Sequence, residues 1–128
     1  MRTLRDAGIG VSLFVDPEED AARASADLGA VCAELHTGDY CHAAGNSTAA
    51  RRELARLEKA GRAVADAGLR LAAGHGLDYT NVGPVAALPF LEELNIGHSI
   101  IARAVLVGME RAVVDMRAAI TAGAGNTK

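Results

Sequence analysis

The sequence predicts an α/β fold of about four β/α units in a single domain over residues 1–128, the content of half a (β/α)₈ barrel. Three observations carry that expectation. Short apolar runs alternate with Ala- and Leu-rich stretches of helical period, the pattern of a parallel sheet with right-handed crossovers. Aromatic residues are scarce, with no Trp and only Phe14, Tyr40, Tyr79 and Phe90 among abundant Ala, Val, Leu and Gly, as in helix-covered parallel sheets. Polar residues gather just past the apolar runs, at what would be one end of the sheet, where (β/α) enzymes place their chemistry.

The first strand is expected over Gly10–Val15, a run suited to burial on both faces that stops at Asp16-Pro17. A helix is expected from there, with Asp16 as N-cap, Pro17 at the first helical position, Glu19 completing a capping box and Gly29 as the stop. The second strand follows over Ala30–Leu35 and runs into a polar loop, His36-Thr37-Gly38-Asp39-Tyr40, whose His36 and Thr37 read as pocket lining. Ser47 to Ala67 has the spacing of a long helix ended by Gly68, and Leu69–Ala73 reads as the third strand, opening into Gly74-His75-Gly76-Leu77. A short apolar helix around Pro84–Leu88, a fourth strand over Glu93–Ile96 and a last helical region broken near Gly108 complete the chain. Residues 121–128 read as a flexible Gly/Asn/Lys tail.

Leu4-Arg5-Asp6-Ala7-Gly8 reads as the end of a helix with its glycine stop, so residues 1–8 are expected to be the remnant of a unit whose strand lies upstream. Four apolar parallel strands would also leave two unpaired edges, which folded proteins avoid by closure, covering or pairing. The competing fold, a small flavodoxin-like domain, usually has five strands.

Composition removes several function classes. With 13 basic against 16 acidic side chains and no Lys/Arg run, the chain lacks the continuous positive face that nucleic-acid binding requires. No window approaches the ~18 uninterrupted apolar residues of a membrane span, and Met1–Asp6 has no apolar leader core, so a cytoplasmic protein with no membrane partner is expected. Cys32 and Cys41 are expected as two reduced thiols.

Four stretches point to one family. Val11-Ser12-Leu13-Phe14-Val15-Asp16-Pro17, Glu34-Leu35-His36-Thr37-Gly38-Asp39-Tyr40, Gly74-His75-Gly76-Leu77, and Glu93 through Val105 (Glu-Leu-Asn-Ile-Gly-His-Ser-Ile-Ile-Ala-Arg-Ala-Val) resemble the pyridoxine 5'-phosphate synthase family, in the same order, from about residue 4 to residue 120. The resemblance is to the carboxyl-terminal half of a TIM-barrel enzyme of vitamin B6 biosynthesis. It implies a condensation of 1-deoxy-D-xylulose 5-phosphate with 3-amino-2-oxopropyl phosphate, releasing phosphate and water, with no cofactor and no metal, in a homo-oligomer. Carried over by position, it makes His75 the proton donor, Glu34 the transition-state stabiliser, and Gly76, Gly97 and His98 substrate-binding residues. The family's proton-accepting His and Glu have no counterpart in this chain, so a missing upstream half-barrel is expected as partner and the chain alone is expected to be inactive. Where the family commonly has Asn, this sequence has Ala72.

The residues themselves bear on those roles. His75 lies between two glycines after a strand, so the backbone can turn sharply and offer an imidazole that titrates near neutrality as a general acid; the plainer reading is a loop histidine. Glu34 stands in an apolar strand, where an ionised carboxylate needs a partner or a polar cavity; the plainer reading is a salt bridge to Arg70 or Arg103. Gly97-His98-Ser99 opens a helix at a strand end, a place for a phosphate, or a simple turn capped by Ser99. His and carboxylate at strand ends also fit a metal-dependent hydrolase or isomerase, although no His-X-His or His-X-X-His pair occurs. An inert half-barrel or assembly module that keeps a phosphate site is the non-enzyme alternative.

Overall fold

A computed structural model describes residues 1–43 and 45–125. Four strands, β1 (Ser12–Val15), β2 (Cys32–His36), β3 (Arg70–Gly74) and β4 (Leu91–Asn95), form one parallel sheet in the order β1-β2-β3-β4. Helices α1 (Arg2–Asp6), α2 (Glu19–Asp27), α3 (Gly38–His42), α4 (Ser47–Asp66), α5 (Val82–Ala86), α6 (His98–Val107) and α7 (Met109–Ala124) precede, connect and follow them. The alternation read from the sequence is therefore the alternation of the fold.

Strand parity sorts the side chains. On one face of the sheet Ala33, Leu35, Leu71 and Ala73 are fully buried and pack with Leu57, Ala60 and Val64 of α4 in the hydrophobic core. On the other face register aligns Phe14 with Glu34 and Glu34 with Ala72, and one step on it aligns His36 with Gly74 and Gly74 with Asn95. That second face carries the polar chemistry toward the strand carboxyl ends. At Gly61 a Cβ would lie 2.8 Å from Leu71 Cδ2, so the missing side chain lets α4 settle directly on β3.

Helix α4 is started by Asn46, whose side-chain oxygen accepts from the Thr48 and Ala49 N–H groups, a cap that stabilises by about 1 kcal/mol. Arg56 on the same helix reaches Glu18, Asp39 and Glu53, tying α2, α3 and α4 together on the outside of the core. At the far end α7 packs on α5 so closely that a Cβ at Gly123 would lie 2.3 Å from Gly83 Cα.

Several elements differ from the expectation. The capping box at Asp16 is absent: Glu18 N–H bonds to the Asp16 carbonyl in a tight turn, Glu18 stays extended as N-cap, and α2 begins at Glu19. The presumed loop after β2 is the short helix α3, fixed by Tyr40, whose hydroxyl donates to the Asn81 carbonyl at 2.9 Å. Strand β4 starts at Leu91, two residues early, with an irregularity in its register against β3. Helix α7 continues through Thr121–Ala124, the first half of the expected tail, and residues 126–128 lie outside the described residues. None of the described helices is long and apolar enough to cross a membrane.

Candidate active site

A cleft of about 780 Å³ opens at the carboxyl ends of the strands, lined by Phe14, Glu34, the turn from His75 to Asp78, and the segment from Asn95 to Ser99. All five residues singled out from the sequence, Glu34, His75, Gly76, Gly97 and His98, line it. They come from three neighbouring strand ends, β2, β3 and β4, so the parallel topology is what brings them together.

Glu34 is held by an amide, with Asn95 Nδ2 donating to its Oε2 at 2.8 Å. The plainer reading, a salt bridge to Arg70 or Arg103, does not hold among the described residues: neither arginine pairs with Glu34, and Arg103 donates through Nε to Asp115 at 2.9 Å while its guanidinium lies over the Tyr79 ring. The Asn95 partner is a neutral amide, Glu34 enters no ion pair among the described residues, and its side chain lines the cleft. The pair forms across Gly74, where a Cβ would stand 2.6 Å from Glu34 Oε1 and 2.7 Å from the Asn95 carbonyl oxygen. Only a glycine fits between the two side chains.

His75 follows with φ of +81°, and Gly76 with φ of +82°. Left-handed backbone is ordinary for glycine but strained for a histidine, and such strain persists only where the surroundings impose it. The imidazole is exposed and stacks on His36 at 4.6 Å between centroids, with Phe14 at 6.5 Å. His36 is fixed in turn by the Gly38 N–H, which donates to its Nδ1 at 3.3 Å; a Cβ at Gly38 would strike that ring.

Thr37 corrects the reading of the β2 loop. It is fully buried rather than lining the cleft, and its hydroxyl sits 2.7 Å from the Gly74 carbonyl and 2.6 Å from the His75 carbonyl. Beneath the same turn Cys41 fills the space that a side chain at position 76 would need. Burial pushes the Cys41 thiol above its ordinary value, and the nearby Asp78 charge adds to that, against a contrary hydrogen bond with Thr37. Asp78 closes the turn: burial alone would raise its carboxyl, but the hydrogen bonds it accepts from the Thr80 hydroxyl and the Thr80 and Asn81 N–H groups outweigh that and hold it below its ordinary value.

Gly97 precedes α6, whose first-turn N–H groups open on the cleft beside His98. Ser99 does not cap this helix; its hydroxyl donates to the Leu77 carbonyl at 2.8 Å and ties α6 to the turn after β3. Among the described residues, no group of three or more His, Cys, Asp or Glu side chains gathers as a set of metal ligands, and both cysteines are free. Reading by sequence missed Asn95 and Phe14. Strand parity could have found both, since each shares a sheet face with Glu34.

The model of the family described as "Pyridoxal phosphate biosynthesis protein PdxJ" matches residues 1–122. The chain belongs to the PdxJ family. Among curated PdxJ-like relatives, pyridoxine 5'-phosphate synthase of Synechococcus sp. is 57% identical over 119 residues, which cover 91% of this chain and 48% of that protein. The Rhodopirellula baltica enzyme of the same name is 53% identical over 117 residues, 91% of this chain and 47% of its own length. That of Nostoc punctiforme is 56% identical over 117 residues, again 91% of this chain and 48% of the relative. The chain thus spans about half the length of the curated relatives it matches.

Proposed function

We propose that this chain is the carboxyl-terminal half of a cytoplasmic, homo-oligomeric pyridoxine 5'-phosphate synthase, four β/α units of a (β/α)₈ barrel that make a working site only with the other four. The observation that carries this reading is the convergence of Glu34, His75, Gly97 and His98 on one cleft at the carboxyl ends of adjacent parallel strands. The relatives' name gives the product, pyridoxine 5'-phosphate, and the family resemblance implies the route to it: 1-deoxy-D-xylulose 5-phosphate condenses with 3-amino-2-oxopropyl phosphate, and phosphate and water depart.

In this reading the first-turn N–H groups of α6, with Gly97 and His98, take a substrate phosphate, because oriented donors and the helix dipole favour an anion there. Gly76 offers backbone close to the aminoketone. Attack of the amine on a carbonyl develops iminium-like positive charge, which the Glu34 carboxylate, oriented by Asn95, stabilises. His75 gives a proton to a hydroxyl as it leaves, so that water rather than hydroxide departs, and is reprotonated from solvent before it serves again.

The test is product formation from the two substrates by the purified chain, alone and with the preceding half of a PdxJ relative supplied in cis. Turnover is expected only with both halves. Robust turnover by the 128 residues alone refutes the half-site reading, and no turnover from a folded two-half protein refutes the activity.

A further inference from the structure

His75 holds a backbone conformation that residues other than glycine seldom adopt, and groups around it are placed to hold it there. A non-glycine residue at φ +81° followed by Gly76 at φ +82° is two consecutive left-handed steps. Strain of this kind clusters where it sets up function. The group placed to enforce it is Thr37. Its N–H extends the β2–β3 ladder by one bond to the Gly74 carbonyl at 2.9 Å. Its hydroxyl lies within donating distance of two successive carbonyls, Gly74 and His75, at 2.7 and 2.6 Å. The residue is wholly buried, so no water competes for that hydroxyl. Cys41 Sγ, 3.6 Å from the His75 carbonyl, is a weak second donor.

We infer that Thr37 is a positioning residue, whose buried hydroxyl clamps the Gly74 and His75 carbonyls by sharing its one proton between them and so fixes the left-handed turn that presents the His75 imidazole to the cleft. The hydroxyl touches neither the imidazole nor the cleft and acts through backbone alone. The catalytic part of the inference rests on His75 being the acid proposed above; the structural part does not.

Thr37→Val keeps the shape and removes the donor, whereas Thr37→Ser keeps the donor. By NMR of the 128-residue chain, the His75 ring protons and their NOE to His36 should shift toward an unstacked ring in Thr37→Val, with His42 and His98 unchanged, and should return in Thr37→Ser. In the two-half protein, kcat should fall roughly 10–100-fold with KM little changed, the size expected when a reacting group is displaced by about 1 Å. His75 signals that stay as in the parent in a folded Thr37→Val overturn the clamp, and a displaced His75 with unaltered kcat overturns the catalytic part of the inference. If Thr37→Val does not fold, the parent decides: slow exchange of the Thr37 hydroxyl proton supports the clamp and fast exchange overturns it. A parent protein without turnover removes the proposed activity and leaves the clamp to be judged on the NMR signals.

Discussion

Asn95 Nδ2 donates to Glu34 Oε2 at 2.8 Å, joining β2 to β4 over the top of β3. The two side chains meet only because the strand between them carries a glycine at the crossing point. Charge placement in the cleft therefore depends on a residue that bears no functional group.

Gly74→Ala should disrupt that crossing. The added methyl would stand 2.6 Å from Glu34 Oε1 and 2.7 Å from a backbone oxygen that cannot swing aside. A loss of about 1–3 kcal/mol is expected from overpacking, measurable by urea denaturation. Unchanged stability would mean that the strands have room the structure does not show.

His75→Asn is the informative replacement for the proposed acid. Asn tolerates left-handed backbone better than most residues, so the turn at φ +81° survives while the titrating ring is lost. In the two-half protein kcat should drop roughly 10²–10⁴-fold with little change in melting temperature. A variant that keeps its kcat assigns the acid elsewhere.

Gly97→Val should separate binding from folding. Beyond the glycine itself and its two chain neighbours, no atom lies within 4 Å of where a Cβ at this position would stand, so the fold should accept a side chain that fills the phosphate approach. Calorimetric titration with inorganic phosphate should show at least roughly tenfold weaker binding, about 1.4 kcal/mol, at an unaltered melting temperature. Equal affinity in parent and variant would place the phosphate elsewhere.

Asp78 predicts an acid limb. Its folded carboxyl sits below the ordinary 3.8, so the stabilisation it lends is complete above that value and is lost as pH falls through the lower folded one. Asp78→Asn should therefore be less stable than the parent near neutrality, and the gap should close as the pH drops below about 4. Equilibrium unfolding from pH 7 to 2.5 checks this, and a gap independent of pH removes Asp78 from the account.

The parallel architecture was legible because it rests on local signals: apolar runs of strand length, glycine stops with positive φ at Gly29 and Gly68, and the helical spacing of Leu57, Ala60 and Val64. Helix α3 was not, because Gly38-Asp39-Tyr40-Cys41-His42 has neither period nor strong propensity; distant partners hold it, Tyr40 on Asn81 and Cys41 under Gly76. The start of α2 misled for a local reason, since Asp16-Pro17 has the signature of a cap but is used as a tight turn one step earlier. At the cleft, residue types at strand ends announced Glu34, His75 and His98, whereas Thr37 looked like one more polar loop residue. Its importance lies in which carbonyls it faces, and that depends on the β2–β3 register.

The meeting of Gly83 and Gly123 limits how these two helices can diverge by descent. A methyl added at position 83 would rest 3.5 Å from Gly123 Cα, an ordinary contact, whereas one added at position 123 would fall 2.3 Å from Gly83 Cα. The two positions are therefore unequal as starting points for change. A lineage can explore alanine at 83 with α7 in place, but any replacement at 123 must first be preceded by movement of a backbone, and single-step mutation offers no gradual route to that.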